Sequence, residues 1–160
     1  MEKKKFNNFN EEGCLPFGVY EMSLEEFEEI FSKNQSSRRQ LIIKYYKEHI
    51  NQIRNLPYYL NHWIDGSYVT SKENPNDIDT FTEFDGVKVD QNDDNALVED
   101  LIYNAPLRTH NTCHSFMVYK YPESYTKEYE KYLETKSKTL IMLFGRNKET
   151  NNPKGIVKLN

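Results

Sequence analysis

One hundred and sixty residues suit one compact domain with a short tail and exclude a multidomain enzyme. Apolar residues make up only 37% of the chain and mean hydropathy is -0.87. Twelve Tyr, nine Phe and one Trp nevertheless bury more area per residue than aliphatics do, which excludes a chain disordered throughout. Lys and Arg number 21 against 25 Asp and Glu, a net charge of -4, so bulk electrostatic gripping of nucleic acid is excluded as well.

The first twelve residues, MEKKKFNNFNEE, are polar and without period; they are expected to form a flexible arm and lack the apolar centre of a secretory signal. Ser23 and Glu26 have the spacing of a capping box and predict a helix over 24–32. Leu41, Ile42, Tyr45, Tyr46, Ile50 and Ile53 mark the buried stripe of a long helix over 36–55, which Pro57 ends. Strands are predicted at 58–64, broken by Asp65-Gly66-Ser67, and at 77–84, where side chains alternate. The acidic stretch 86–94 reads as a turn and 95–103 as a helix. A third strand follows at 112–121, then an amphipathic helix over 124–143 capped by Gly145, and a short strand at 155–159. Leu41, Tyr45, Tyr129 and Leu133 are the expected contacts of the two long helices with the sheet. This order predicts a single α+β domain over 13–160, a small mixed sheet with helices packed on it.

The longest apolar run, Leu140–Phe144, is far shorter than the roughly 20 residues of a membrane helix. Cys14 and Cys113 form no Cys-x-x-Cys pair, which suits a reducing compartment; a cytoplasmic protein away from membranes is expected. His110, Cys113 and His114 form H-x-x-C-H, but zinc needs further ligands at paired spacing, and a strand entering the core is the simpler reading. Arg146, Lys148, Lys154 and Lys158 read as a solvated basic tail, with contact to a phosphate as the alternative. The tyrosines at helical spacing read as core.

The chemically informative segment is Trp63-Ile64-Asp65-Gly66-Ser67 followed by Asp77-Ile78-Asp79. Carboxylates at i and i+2 of a strand share a face about 7 Å apart, a spacing at which both reach a divalent ion. Glycine lets the backbone approach a phosphate closely, and the serine hydroxyl with the following N–H groups can bind its oxygens. A helix starting at about Tyr68 would add its positive end.

A strand, Gly-Ser, a short helix and Asp-x-Asp on the next strand resemble the DNA polymerase beta-type nucleotidyltransferase superfamily. Leu15-Pro16-Phe17-Gly18, Tyr121-Pro122-Glu123 and Pro153-Lys154-Gly155-Ile156-Val157 narrow the likeness to a group of small bacterial and phage nucleotidyltransferase-like proteins, over about 14–159. The resemblance implies that Gly66 and Ser67 bind the phosphates of a nucleoside triphosphate. It also implies that Asp77 and Asp79 are catalytic and hold Mg²⁺ or Mn²⁺. The superfamily's third carboxylate is missing from the strand Cys113–Val118, where His114 takes the equivalent position as a catalytic candidate. Glu83, Glu99 and Asp100 are substitute acids.

Two functions follow as expectations. One is a metal-dependent transfer of a nucleoside monophosphate to a hydroxyl on protein, RNA or a small molecule. The alternative is an inactive module that binds nucleotide or a protein partner. Seventeen Asn and two Ala suggest an AT-rich coding genome; with the small size and the resemblance, they point to a toxin-antitoxin or phage-defence component.

Overall fold

The computed structural model describes residues 6–105 and 111–160. Strand β1 (Val19–Met22) leads into α1 (Leu24–Phe31), whose expected capping box is present: Glu26 N–H donates to Ser23 Oγ at 3.1 Å and Ser23 N–H to Glu26 Oε2 at 2.8 Å. Helix α2 (Ser37–Arg54) precedes β2 (Tyr59–Asp65), and β3 (Ile78–Asp85) follows a single 3₁₀ turn at Ser67–Val69. Next come α3 (Gly86–Asn92), α4 (Asn95–Glu99) with a π-type extension over Asp100–Asn104, and β4 (Cys113–Lys120). Helix α5 (Thr126–Ser137) continues with π-type bonding over Lys138–Phe144, and β5 (Ile156–Leu159) ends the chain.

The five strands form one mixed sheet in the order β1-β5-β2-β3-β4. β1 with β5 and β3 with β4 run parallel; β2 is antiparallel to both β3 and β5. Strand periodicity divides the side chains between two cores. Ile64, Ile78, Phe84 and Val157 face α1 and α2 in the larger one, whereas Trp63, Phe81, Val118 and Ile156 face Tyr132 and Phe144 in the smaller. The molecule is the α+β sandwich that the sequence predicts.

Several expectations need correction. Helix α2 buries Arg39, Ile42, Ile43, Tyr46, His49, Ile50 and Ile53, while Leu41 is 39% exposed and Tyr45 half-buried. Residues 41 and 45 lie about 100° around the helix from 42 and 46, and the stripe that packs includes the polar Arg39 and His49. On α5 it is Tyr132 that is buried; Leu133 is exposed and Tyr129 half-buried. The expected turn at 86–94 is mostly helix α3, because the Asp85 carboxylate accepts from Lys88 N–H as an N-cap and Val89 is buried. Strand β1 has no counterpart among the predicted elements; it is only four residues long, and its pairing with β5 joins distant parts of the chain. Gly145 follows the last helix with φ -74, without the left-handed geometry of a glycine cap. Of the expected arm, Phe6 and Phe9 rest against Phe31 with ring centroids 5.8 and 6.3 Å away.

The α2 side of the sheet contains a buried polar chain. His62 Nδ1 lies 2.8 Å from Thr82 Oγ1, Thr80 Oγ1 donates to Ser115 Oγ at 3.1 Å, and Ser115 Oγ lies 3.4 Å from His49 Nε2. Burial pushes both imidazoles down, His49 to about 4 and His62 well below the ordinary range. Unfolded histidine titrates near ~6.5, so below that pH the unfolded chain binds protons that the folded chain refuses. Stability present above pH ~6.5 is therefore lost as pH falls toward 4, by at most about 3 kcal/mol for His49. Comparing urea unfolding at pH 4.5 and 7 between wild type and His49→Gln isolates this contribution: on going to pH 4.5 the variant should lose less stability than the wild type, and an equal pH response in both would exclude a contribution from His49.

Candidate functional site

The antiparallel register sets Asp65, the last residue of β2, opposite Asp79 near the start of β3. Leaving β2 requires a sharp departure: Gly66 has φ 79 and ψ -163, a region essentially restricted to glycine. A Cβ there would also stand 1.8 Å from Asp79 Oδ2. Glycine is thus required twice, by the backbone and by the carboxylate packed against it.

No helix starts at Tyr68. The three-residue 3₁₀ turn presents no helix dipole, so phosphate binding at this turn would rest on the Ser67 hydroxyl and local N–H groups. The carbonyls that a helix would use are taken by Arg39, whose buried guanidinium donates to the carbonyl oxygens of Phe31, Tyr68, Thr70 and Lys72 at 2.7–3.1 Å. It also lies 4.9 Å over the Tyr68 ring. Arg38 donates to the Pro75 and Asn76 carbonyls, and Ser36 Oγ to that of Glu73. The start of α2 thereby holds the whole connection 67–76. Sequence reasoning missed this role; the available signal was an arginine three residues before Ile42, on the buried stripe.

Gly66, Ser67, Asp77, Asp79 and His114 line a single cleft of about 560 Å³. Ser67 is half-buried, and its hydroxyl makes no hydrogen bond to another described residue. His114 stands opposite Asp79 in the parallel register, with Nδ1 3.3 Å from Asp79 Oδ1. Burial, reinforced by the neighbouring Asp79 charge, raises the Asp77 carboxyl above its ordinary range. Lys72, Lys148 and Lys154 line the same cleft, which therefore combines carboxylates with cations.

None of the substitute acids lines the cleft. Glu83 is fully buried beneath α5, where it accepts from Tyr132 Oη at 2.6 Å, Lys136 Nζ at 2.8 Å and the Asn61 amide. Glu99 and Asp100 are not among the lining residues. Glu12 and Glu149 are, although the Glu12 carboxylate already accepts from Asn147, Thr150 and Asn152. The zinc reading finds no support among the described residues: Cys113 is buried toward α2, its neighbour His114 points to the opposite face, and His110 lies outside them.

Asp65 and Lys154 correct the reading further. Lys154 is no solvated tail: it is 7% exposed, and its Nζ donates to the buried Asp65 Oδ1 at 2.7 Å. Burial outweighs the Lys154 ammonium and pushes the Asp65 carboxyl up to about 7. Its contribution to stability is fully present below the unfolded pKa of ~3.9 and is lost as pH rises through 7, opposite in sign to that of His49.

Among the described residues no group of three or more His, Cys, Asp or Glu side chains converges as a metal cage. Asp77 and Asp79 line the same cleft and are the residues that would hold a Mg²⁺ ion, which commonly takes one or two carboxylates and completes its shell with water and substrate phosphates. Burial of mutually repelling carboxylates at the cleft wall favours a cation.

The architecture defines a small α+β sandwich with a mixed-charge cleft where β2, β3 and β4 meet. A family model described as a family of unknown function (DUF6932) matches residues 7–160, and the chain belongs to that family. No curated protein and no solved structure matches it. No helix among the described residues is long and apolar enough to cross a membrane.

Proposed function

We propose that the protein is a nucleotidyltransferase-like enzyme that transfers a nucleoside monophosphate from a nucleoside triphosphate to a hydroxyl acceptor. The observation that carries this reading is the meeting of Gly66-Ser67 with Asp77, Asp79 and His114 in one cleft, although residues 68–76 separate Ser67 from Asp77. Ser67 offers an uncommitted hydroxyl to phosphate oxygens, and the glycine before it admits close backbone approach. Asp77 and Asp79 would hold Mg²⁺ or Mn²⁺. When bound, such an ion supplies positive charge that acidifies the acceptor hydroxyl and stabilises charge on the phosphates. The acceptor oxygen bonds to the α-phosphorus, the bond from phosphorus to the bridging oxygen breaks, and pyrophosphate leaves. His114, beside Asp79, would take the hydroxyl proton.

The acceptor is a protein, RNA or small-molecule hydroxyl; the acidic stretch from Glu83 to Asp100 disfavours RNA. Two free buried cysteines favour a cytoplasmic setting, and small size favours a toxin-antitoxin or phage-defence role. A second reading, a nucleotide-binding module without turnover, draws on His114 standing where the superfamily has an acid.

Mg²⁺ or Mn²⁺ with a nucleoside triphosphate should raise the melting temperature, since binding to the folded state alone stabilises it. Asp77→Asn with Asp79→Asn should abolish the rise while retaining the fold. A wild-type protein indifferent to metal and nucleotide, and indistinguishable from the double variant, would end the reading. Transfer favouring Mn²⁺, with Mg²⁺-dependent transfer gained in His114→Asp, would support the enzyme; nucleotide binding without turnover in either would support the inactive module.

A further inference from the structure

The Asp65–Lys154 pair is costly to bury. Taking an ammonium and a carboxylate out of water carries a desolvation penalty that their mutual attraction only partly repays, and apolar replacements are often as stable. The chain nonetheless invests several constraints in its placement. Antiparallel pairing of Ile64 with Val157 carries the segment before β5 alongside the end of β2, so that Lys154 arrives next to Gly66. Lys154 N–H donates to the Gly145 carbonyl at 2.9 Å and Gly155 N–H to that of Leu15 at 2.8 Å. A Cβ on Gly155 would lie 2.5 Å from the Pro16 carbonyl oxygen and 2.9 Å from Leu15 Cβ. The backbone at 154 is thus fixed on both sides.

Its ammonium has three N–H donors, and Asp65 Oδ1 is its only hydrogen-bond acceptor among the described residues. The side chain lines the same cleft as Gly66 and Ser67. A cation held rigid by one acid, with donors to spare beside an uncommitted serine hydroxyl, is suited to an anion with several oxygens. Lys72 and Lys148 also line the cleft but are exposed, and water screens their charge more strongly.

We propose that Lys154 is a phosphate-binding residue, fixed by Asp65, that donates to an oxygen of the polyphosphate seated on Gly66-Ser67. This rests on the nucleotidyltransferase reading and adds to it a ligand from the far end of the chain. Asp65 is then a positioning residue, and part of the charge neutralisation at the phosphates comes from the protein itself.

Titration with inorganic tripolyphosphate in EDTA isolates this contribution, because no metal then bridges the anion to Asp77 and Asp79. The wild-type protein should bind it, and Lys154→Met should weaken binding about 10- to 100-fold, the loss of a hydrogen bond to a charged group. Lys154→Met strands a buried carboxylate, so the same titration is made on Asp65→Asn with Lys154→Met, which removes both charges; it should fold and remain as weak. Binding within about twofold of wild type in that double variant would overturn the role of Lys154 and leave the nucleotidyltransferase reading standing. A wild-type protein that binds neither tripolyphosphate nor a nucleoside triphosphate with Mg²⁺ would overturn both.

Discussion

Lys136→Met should lower the unfolding free energy by about 1.5–3 kcal/mol, the cost of losing a charged hydrogen bond to a buried carboxylate from a lysine that is itself 29% exposed. Glu83 is completely buried between β3 and α5, and Lys136 Nζ reaches its Oε1 at 2.8 Å while lying 5.2 Å over the Trp63 ring. Burial alone would raise the Glu83 carboxyl; hydrogen bonds from Lys136, Tyr132 and Asn61 outweigh it and hold the group below the ordinary range. Methionine fills the space of the lysine stem but leaves the carboxylate with only neutral donors. Urea denaturation at pH 7 measures the loss. Glu83→Leu with Lys136→Met should recover most of it, since two apolar groups strand no charge. A loss below about 1 kcal/mol in Lys136→Met would mean that water or the neutral donors satisfy Glu83, as at a surface pair.

Gly66→Ala should damage the cleft more than any other single-methyl change. The backbone conformation at 66 costs a non-glycine residue about 1–3 kcal/mol. The added carbon also falls within bonding distance of Asp79 Oδ2, so Asp79 must turn away or the end of β2 must move. Both outcomes displace a proposed ion ligand, and the variant should lose the metal- and nucleotide-dependent rise in melting temperature. Combining Gly66→Ala with Asp79→Ala separates the two effects. The carboxylate clash disappears in the double variant and the backbone strain remains, so its stability loss from the glycine change should be smaller than in the presence of Asp79. Equal losses in both backgrounds would show that the carboxylate does not crowd position 66.

Local physics made much of this molecule legible from its residues. The Ser23–Glu26 capping box, the alternation along β3 and the interruption by Gly66 are set by interactions within a few residues. The same holds for the Asp-x-Asp spacing, because i and i+2 on a strand share a face wherever the strand is placed. His114 is marked only by the resemblance, as the residue standing where the superfamily has its third carboxylate; its contact with Asp79 comes from the parallel pairing of β3 with β4.

Tertiary structure decided what local pattern leaves degenerate. Leu41 and Ile42 are equally apolar, and only the direction in which α2 meets the sheet determines which one is buried. Glu83 and Asp79 both lie on the same face of β3, yet one sits under α5 with Lys136 and the other opens into the cleft, because α5 covers only part of that face. Arg39 and Lys154 read as surface cations from composition alone. Their partners are the carbonyls around 68–72 and the carboxylate of Asp65, brought near by helix packing and by the pairing of β5 with β2. A charge is buried only where the folded chain delivers acceptors to it, and those acceptors come from residues 29 and 89 positions away.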